Sequence, residues 1–214
     1  WSPDENRFAY LSNKNYDFFG QNDLFIYSFS DSLSNKIAES VHTAPTWVND
    51  STIIYTKRSK PNKWGSKFFD LYMYKLYTEQ EMRITFDGRL ISPVYEVSSN
   101  KIVAITSYDG TSNIMISDEL DLTKEQIQFN NLTQLDNGIH MLSLAWIDGE
   151  LYVDAVYHQG RQIFRVIMET GELISVVTSR WDNRDQEASP FGMIFAKDKS
   201  GIFNLVIQKN GINQ

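Results

Sequence analysis

Trp1-Ser2-Pro3-Asp4-Glu5-Asn6-Arg7-Phe8-Ala9-Tyr10-Leu11-Ser12 decides how the rest of the chain is read. The Ser-Pro-Asp-Glu segment is a tight turn, because proline presets a turn φ angle and Ser and Asp bond to nearby backbone. The apolar and aromatic run behind it has the composition of a β-strand. The same grammar returns as Ser189-Pro190-Phe191-Gly192-Met193-Ile194-Phe195-Ala196. Ser2 and Ser189 are 187 positions apart. That is close to four equal steps of about 47, and a period in the forties marks a radial or solenoid repeat.

The intermediate copies are present. An aromatic anchor precedes the turn at Trp1, Trp47, Tyr95 and Trp146, and Ala188 holds that place in the fifth copy, giving steps of 46, 48, 51 and 42 residues. A β-rich run follows each turn: Phe8 to Leu11, Ile53 to Thr56, Ile102 to Ile105, Leu151 to Val153 and Met193 to Phe195. A third element is led by a polar residue at Asp23, Asp70, Asn113, Gln162 and Asn204. A fourth, outer strand recurs at Lys36 to Val41, Met82 to Phe86, Phe129 to Leu135 and Leu173 to Ser179. Four short strands per unit describe a β-propeller blade. A sandwich also shows frequent turns, but coincidental spacing would not keep four-strand order through five units.

The expected fold is therefore all-β: a propeller of four-stranded antiparallel blades, about four complete and part of a fifth. The repeat units are 1–46, 47–94, 95–145, 146–187 and 188–214 within a single partial propeller domain. Pro45 and Pro93 stand two residues before their anchors, which suits an innermost edge strand, since proline cannot donate to a ladder. Helix is expected only as a short turn over Leu120 to Gln128. With no initiator Met and no signal peptide, the chain reads as an excerpt of a ring of six to eight blades.

Net charge is −7 and the chain has no cysteine. Disulfides, thiolate nucleophiles and Cys-ligated zinc are thereby excluded, and a general nucleic-acid or anionic-membrane surface is disfavoured. No apolar run is long enough to span a bilayer as a helix, so no membrane insertion is expected.

With the repeats laid out, the units resemble the propeller repeats of TolB-like periplasmic proteins, whose consensus is a Ser-Pro-Asp-Gly turn, a hydrophobic strand, then Asp-Ile/Leu-Tyr. The first unit carries it as Trp1-Ser2-Pro3-Asp4, Phe8-Ala9-Tyr10-Leu11-Ser12-Asn13 and Asp23-Leu24-Phe25-Ile26-Tyr27. The last is a variant, Ala188-Ser189-Pro190-Phe191-Gly192, and units two to four lack the Ser-Pro-Asp turn. The resemblance implies a periplasmic or otherwise extracytoplasmic scaffold that binds envelope proteins, a peptide or a small ligand. It equally fits an accessory propeller gating a hydrolase or peptidase domain.

Catalytic motifs are missing. His42, His140 and His158 show no metal-ligand spacing and read as channel or turn residues, with His158 in a loop. There is no Gly-x-Ser-x-Gly elbow and no phosphate-cradling glycine run, so no catalysis, metal or cofactor is expected. Binding is expected where long loops gather, on the face that also carries the blade-to-blade connections. Three loops qualify: Asn13 to Asn22 with Tyr16, Phe18 and Phe19; Lys57 to Lys67 with Arg58, Lys60, Lys63 and Trp64; and Arg180 to Asp185 with Arg180, Trp181 and Arg184. Aromatics and Arg anchor partner contacts. The alternative is that Tyr16, Phe18, Phe19 and Trp181 cap their own blades and the lysines are solvated.

Overall fold

The computed structural model describes residues 1–17, 20–157, 160–199, 201–209 and 212–213. Its strands, in chain order, are β1 (Arg7–Ser12), β2 (Asn22–Ser28), β3 (Leu33–Val41), β4 (Thr46–Asn49), β5 (Thr52–Arg58), β6 (Phe69–Lys75) and β7 (Gln80–Arg83). They continue as β8 (Leu90–Glu96), β9 (Lys101–Tyr108), β10 (Thr111–Ser117), β11 (Phe129–Asn131), β12 (His140–Ile147), β13 (Glu150–Tyr157), β14 (Gly160–Val166) and β15 (Leu173–Val177). The last four are β16 (Asn183–Ser189), β17 (Gly192–Asp198), β18 (Phe203–Lys209) and β19 (Ile212–Asn213).

Each sheet is an antiparallel meander, the blade of a β-propeller. The meander β1-β2-β3 joins the four-stranded β4-β5-β6-β7 where Val41 of β3 lies opposite Lys57 of β5. Three further four-stranded sheets follow: β8 to β11, β12 to β15 and β16 to β19. The five runs placed after the turns lie in β1, β5, β9, β13 and β17, and the polar-led elements in β2, β6, β10, β14 and β18. The sheets start earlier than units counted from the aromatic anchor, by one residue at β4, where Trp47 is second, and by several at β8, β12 and β16, where Tyr95, Trp146 and Ala188 lie late.

The turns follow local chemistry. Ser2 Oγ accepts the Arg7 N–H (3.0 Å), and Ser189 Oγ accepts the Phe191 N–H (3.2 Å). Between β12 and β13, Asp148 and Gly149 both have positive φ, 52° and 80°, as the two-residue hairpin of type I′ requires.

Leu120 to Gln128 forms turns rather than the expected helical turn. Within it the Lys124 N–H donates to the Asp121 carbonyl (3.2 Å) and the Thr123 N–H to Asp121 Oδ1 (3.0 Å), and the other backbone bonds run to neighbouring segments. The Leu120 N–H donates to the Asn100 carbonyl (2.8 Å), the Ile127 N–H to the Ile84 carbonyl (2.9 Å), and Lys75 Nζ to the Leu122 carbonyl (2.9 Å). An isolated turn of helix is costly to nucleate, and these tertiary bonds replace it.

The chain divides into two compact units, Trp1–Ala104 with Ser117–Phe129 and Ile105–Ile116 with Asn130–Gln214. In the first, Leu24, Ala38, Val41, Ile53 and Tyr55 form a buried cluster against Trp47, Tyr72 and Tyr74. In the second, Ala145, Ile147, Ile163, Val177, Met193 and Phe195 do the same. Each such side chain contributes roughly 1.5–3 kcal/mol on full burial.

The edge strand β8 is also accounted for. Its Ser92 N–H donates to Thr43 Oγ1 (2.9 Å) and its Tyr95 N–H to Thr46 Oγ1 (3.0 Å). Pro93, between them, has no N–H to satisfy. Proline therefore sits at a sheet edge here, as its chemistry demands.

The polar residues that lead β6, β10 and β14 act as staples onto the outer strand of their own blade. Asp70, fully buried, accepts from Arg83 Nη2 (2.7 Å), Thr85 Oγ1 (3.1 Å) and the Asp87 and Gly88 N–H groups (3.2 and 3.0 Å). Asn113 Oδ1 accepts from Thr133 Oγ1 (2.8 Å) and the Leu135 N–H (2.7 Å). Gln162 Oε1 accepts the Ser179 N–H (2.9 Å), and its Nε2 donates to the Ser179 carbonyl (2.7 Å). In each case a buried or half-buried polar group is satisfied while the chain leaves the outer strand.

Candidate functional site

The segment after β5 is built by its own polar residues. At its base the Ser59 N–H donates to the Phe68 carbonyl (2.7 Å), and Ser59 Oγ accepts the Phe68 N–H (3.3 Å). At its tip Asn62 Oδ1 accepts from the Trp64 and Ser66 N–H groups (2.9 and 3.1 Å), and the Gly65 N–H donates to the Asn62 carbonyl (2.9 Å). This Asx-type closure holds Trp64 outward, 79% exposed, with Lys63 Nζ 5.0 Å from the ring centroid. Lys60 and Lys63 are exposed on the same loop. Trp64 does not cap its blade.

The loop before β2 behaves in the opposite way. Tyr16 donates its hydroxyl to Asp23 Oδ1 (2.6 Å), Asn15 Nδ2 donates to Asp23 Oδ2 (3.2 Å), and Lys14 Nζ lies 4.4 Å from the Phe25 ring centroid. The bond to Asp23, and then burial, hold the Tyr16 phenol above its ordinary value. Burial pushes Asp23 up, but the bonds from Tyr16 and Asn15 and the Lys36 charge outweigh it and leave the carboxyl below its usual range. Tyr16 is thus turned onto its own blade. Phe18 and Phe19 lie outside the described residues.

In the second unit, the Arg180 guanidinium lies 4.4 Å from the Trp181 ring and that of Arg184 3.7 Å from Phe203. The Trp181 carbonyl accepts from Ser179 Oγ (3.0 Å) and Asn183 Nδ2 (2.9 Å), which knots the connection into β16. Trp181 and Arg184 are half-buried, and Arg180 is exposed. Beneath them Arg161 Nη2 donates to the fully buried Asp154 (2.7 Å).

Arg58 ends β5 and lies opposite Phe69 in the β5–β6 register, its guanidinium 5.0 Å from the Phe69 centroid. His42 follows directly on Val41 at the end of β3, and its N–H donates to the Thr56 carbonyl (2.9 Å). That pairing stacks the imidazole on Phe69, with centroids 4.1 Å apart and planes at 16°. Gly20, Gln21, Ser40, Ser59 and Lys67 complete a cleft of about 390 Å³, within the size range of small-ligand sites. Packing against its neighbours, and secondly the Arg58 charge, hold His42 below its ordinary value even though part of the ring meets solvent.

Among the described residues no acidic side chain lines this cleft, and neither Arg58 nor Lys67 has a carboxylate partner. Arg58 was legible from composition. Lys67 closes the same basic loop, whereas His42 and Phe69 were not legible, because they meet Arg58 through the Val41–Lys57 and Arg58–Phe69 register. Histidine directly beside an outer-strand end was the one available signal. Among the described residues no three His, Asp or Glu side chains converge as a metal site would require.

No family model matches the sequence, and no curated protein matches it. Solved structures do. The chain is similar to TolB from Acinetobacter baumannii (TM-score 0.71, 19% identity), covering 98% of this chain and 52% of that one. It is also similar to the β-propeller domain of the Trilobed protease from Pyrococcus furiosus (TM-score 0.65, 12% identity; 100% and 64%). A third likeness is to an acylaminoacyl peptidase from Pyrococcus horikoshii (TM-score 0.66, 12% identity; 100% and 36%). The chain thus spans about half the length of TolB. Its fold is a β-propeller of the TolB-like kind, shared with peptidase propeller domains.

Proposed function

We propose that this propeller is a non-catalytic binding scaffold of the bacterial cell envelope, outside the cytoplasm, and that it recognises a protein or peptide partner with the loop end of its first two blades. One observation carries this reading: Trp64 is presented to solvent by a loop its own hydrogen bonds make rigid, and the same loop carries Lys67 into a cleft whose cations have no carboxylate partner among the described residues. Ordering such an anchor in advance lowers the entropic cost of binding, and an exposed large aromatic is the residue type that dominates interface energies. The likeness to TolB supports a role outside the cytoplasm.

The test compares recovery of envelope proteins by the wild-type chain, Trp64→Ala and Trp181→Ala. Loss with Trp64→Ala and retention with Trp181→Ala is expected, since Trp181 is half-buried in its own connection. Unchanged recovery by Trp64→Ala overturns the proposed face. A second reading, an accessory domain gating a hydrolase or peptidase, draws support from the two archaeal protease propellers that match the whole chain. Reading the full-length gene separates the two, because only the second requires an adjoining catalytic domain.

A further inference from the structure

In a chain of net charge −7, several half-buried cations are neutralised by carboxylates. Lys57 meets Glu81 at 2.9 Å, Arg83 meets Asp70 at 2.7 Å, and Arg161 meets Asp154 at 2.7 Å. The cleft formed by Arg58, Lys67, His42 and Phe69 departs from this pattern. Its two fixed positive charges converge on one cavity, with Ser40, Ser59 and Gln21 beside them and with no acid among the described lining residues. Phe69 supplies an apolar wall, and Arg58 and His42 both pack against that ring.

Arg58 and Lys67 are exposed and have no carboxylate partner among the described residues, so an anion entering the cleft can supply the counter-charge. A guanidinium presents two parallel N–H donors matched to the two oxygens of a carboxylate. One ammonium and neutral hydroxyls suit a monoanion, and an aromatic wall suits the carbon skeleton that bears it. We propose that this cleft binds the carboxylate of a peptide ligand, with Arg58 as the bidentate donor, Lys67 as the second charge and Phe69 as the surface under the adjoining carbons. The proposal rests on the reading of this loop end as the recognition surface and names the group recognised there.

A peptide offers a carboxylate at its chain end or on a side chain, and the probes separate the two. The 214-residue chain, isotopically labelled at histidine, is titrated with N-acetyl-glycylglycine, N-acetyl-aspartyl amide, N-acetyl-glycylglycinamide and inorganic phosphate. The His42 ring resonance, assigned with His42→Gln, reports occupancy. Saturable binding of at least one of the first two, with none by the uncharged diamide, is expected, and the probe that binds identifies the source. Arg58→Gln and Lys67→Gln are each expected to weaken that binding at least tenfold.

Binding of the diamide to the same level, no binding by either carboxylate, tighter binding of phosphate, or unaltered affinity in both variants overturns the proposal. Lys67 lies in an exposed loop, so Lys67→Gln remains decisive if Arg58→Gln perturbs the end of β5. Failure here with continued capture of a partner through Trp64 removes only the carboxylate assignment. Loss of the Trp64 effect with intact carboxylate binding removes only the protein-partner reading.

Discussion

Phe69 and Asp70 are consecutive residues of β6, so their side chains stand on opposite faces of the same strand. On the Asp70 face everything is closed: the carboxylate is fully buried and accepts from Arg83, Thr85 and two backbone N–H groups. On the Phe69 face Arg58 and His42 lie against the ring, and the space between them and Lys67 is open. Both faces carry an arginine at similar remove from the strand. One arginine is fixed by a carboxylate of its own chain and the other is not. The difference separates a charge that maintains a blade from a charge available for recognition, and each can be tested against the other.

The largest effect is expected on the closed face. Asp70→Ala leaves Arg83, Thr85 and two N–H groups without their acceptor, and removing one partner of a buried ion pair costs about 3–5 kcal/mol. Denaturant unfolding of the chain should show this as a lowered midpoint. Asp70→Asn keeps one acceptor oxygen for the Thr85 hydroxyl and the Gly88 N–H, as Asn113 does for Thr133 and Leu135 in the next blade, and loses the one that takes Arg83 and the Asp87 N–H. It should cost less, about 1–3 kcal/mol. Equal losses for the two substitutions would show that the Arg83 charge, not the hydrogen-bond geometry, holds the outer strand.

The fold was largely legible because strand composition is local. The runs at Phe8 to Leu11, Ile53 to Thr56 and Ile102 to Ile105 fall within β1, β5 and β9 whatever their neighbours do. The staples were visible only as polar strand leaders, since the partners of Asp70 and Asn113 come 13 to 22 residues later across a turn. The cleft was less legible still. Arg58 could be picked from its basic loop, but His42 joins it only through a strand register, and Tyr16 looked equivalent to Trp64 until its hydroxyl was found on Asp23. Composition names residues that can bind. Register and burial decide which of them are free to do so.

On the open face the expected order is reversed: little change in stability and a large change in binding. Arg58→Gln and Lys67→Gln remove no internal ion pair among the described residues and should shift unfolding by no more than about 0.5 kcal/mol, as surface substitutions do. Carboxylate affinity should fall at least tenfold in the same proteins. A loss of stability in Lys67→Gln comparable to that of Asp70→Asn would erase the distinction between the two faces.

The smallest expected effect concerns His42. Its folded value lies below that of a free imidazole, first because packing disfavours the charged ring and second because Arg58 is near. Between that lowered value and the unfolded one near 6.5, the unfolded chain binds more protons than the folded chain. The stability attached to neutral His42 is therefore complete above the unfolded value and is lost as pH falls through the folded one. His42→Gln should flatten the acid side of the stability profile as pH falls below the unfolded value, by a modest amount because part of the ring is solvated. A bound carboxylate acts in the opposite sense. It offsets the charges of Arg58 and Lys67 and favours protonated His42, so affinity should rise on acidification in the wild type and stay level in His42→Gln. Identical pH profiles of binding in the two proteins would place the carboxylate away from the imidazole, and the open face of β6 would then owe its ligand contacts to Arg58 and Lys67 alone.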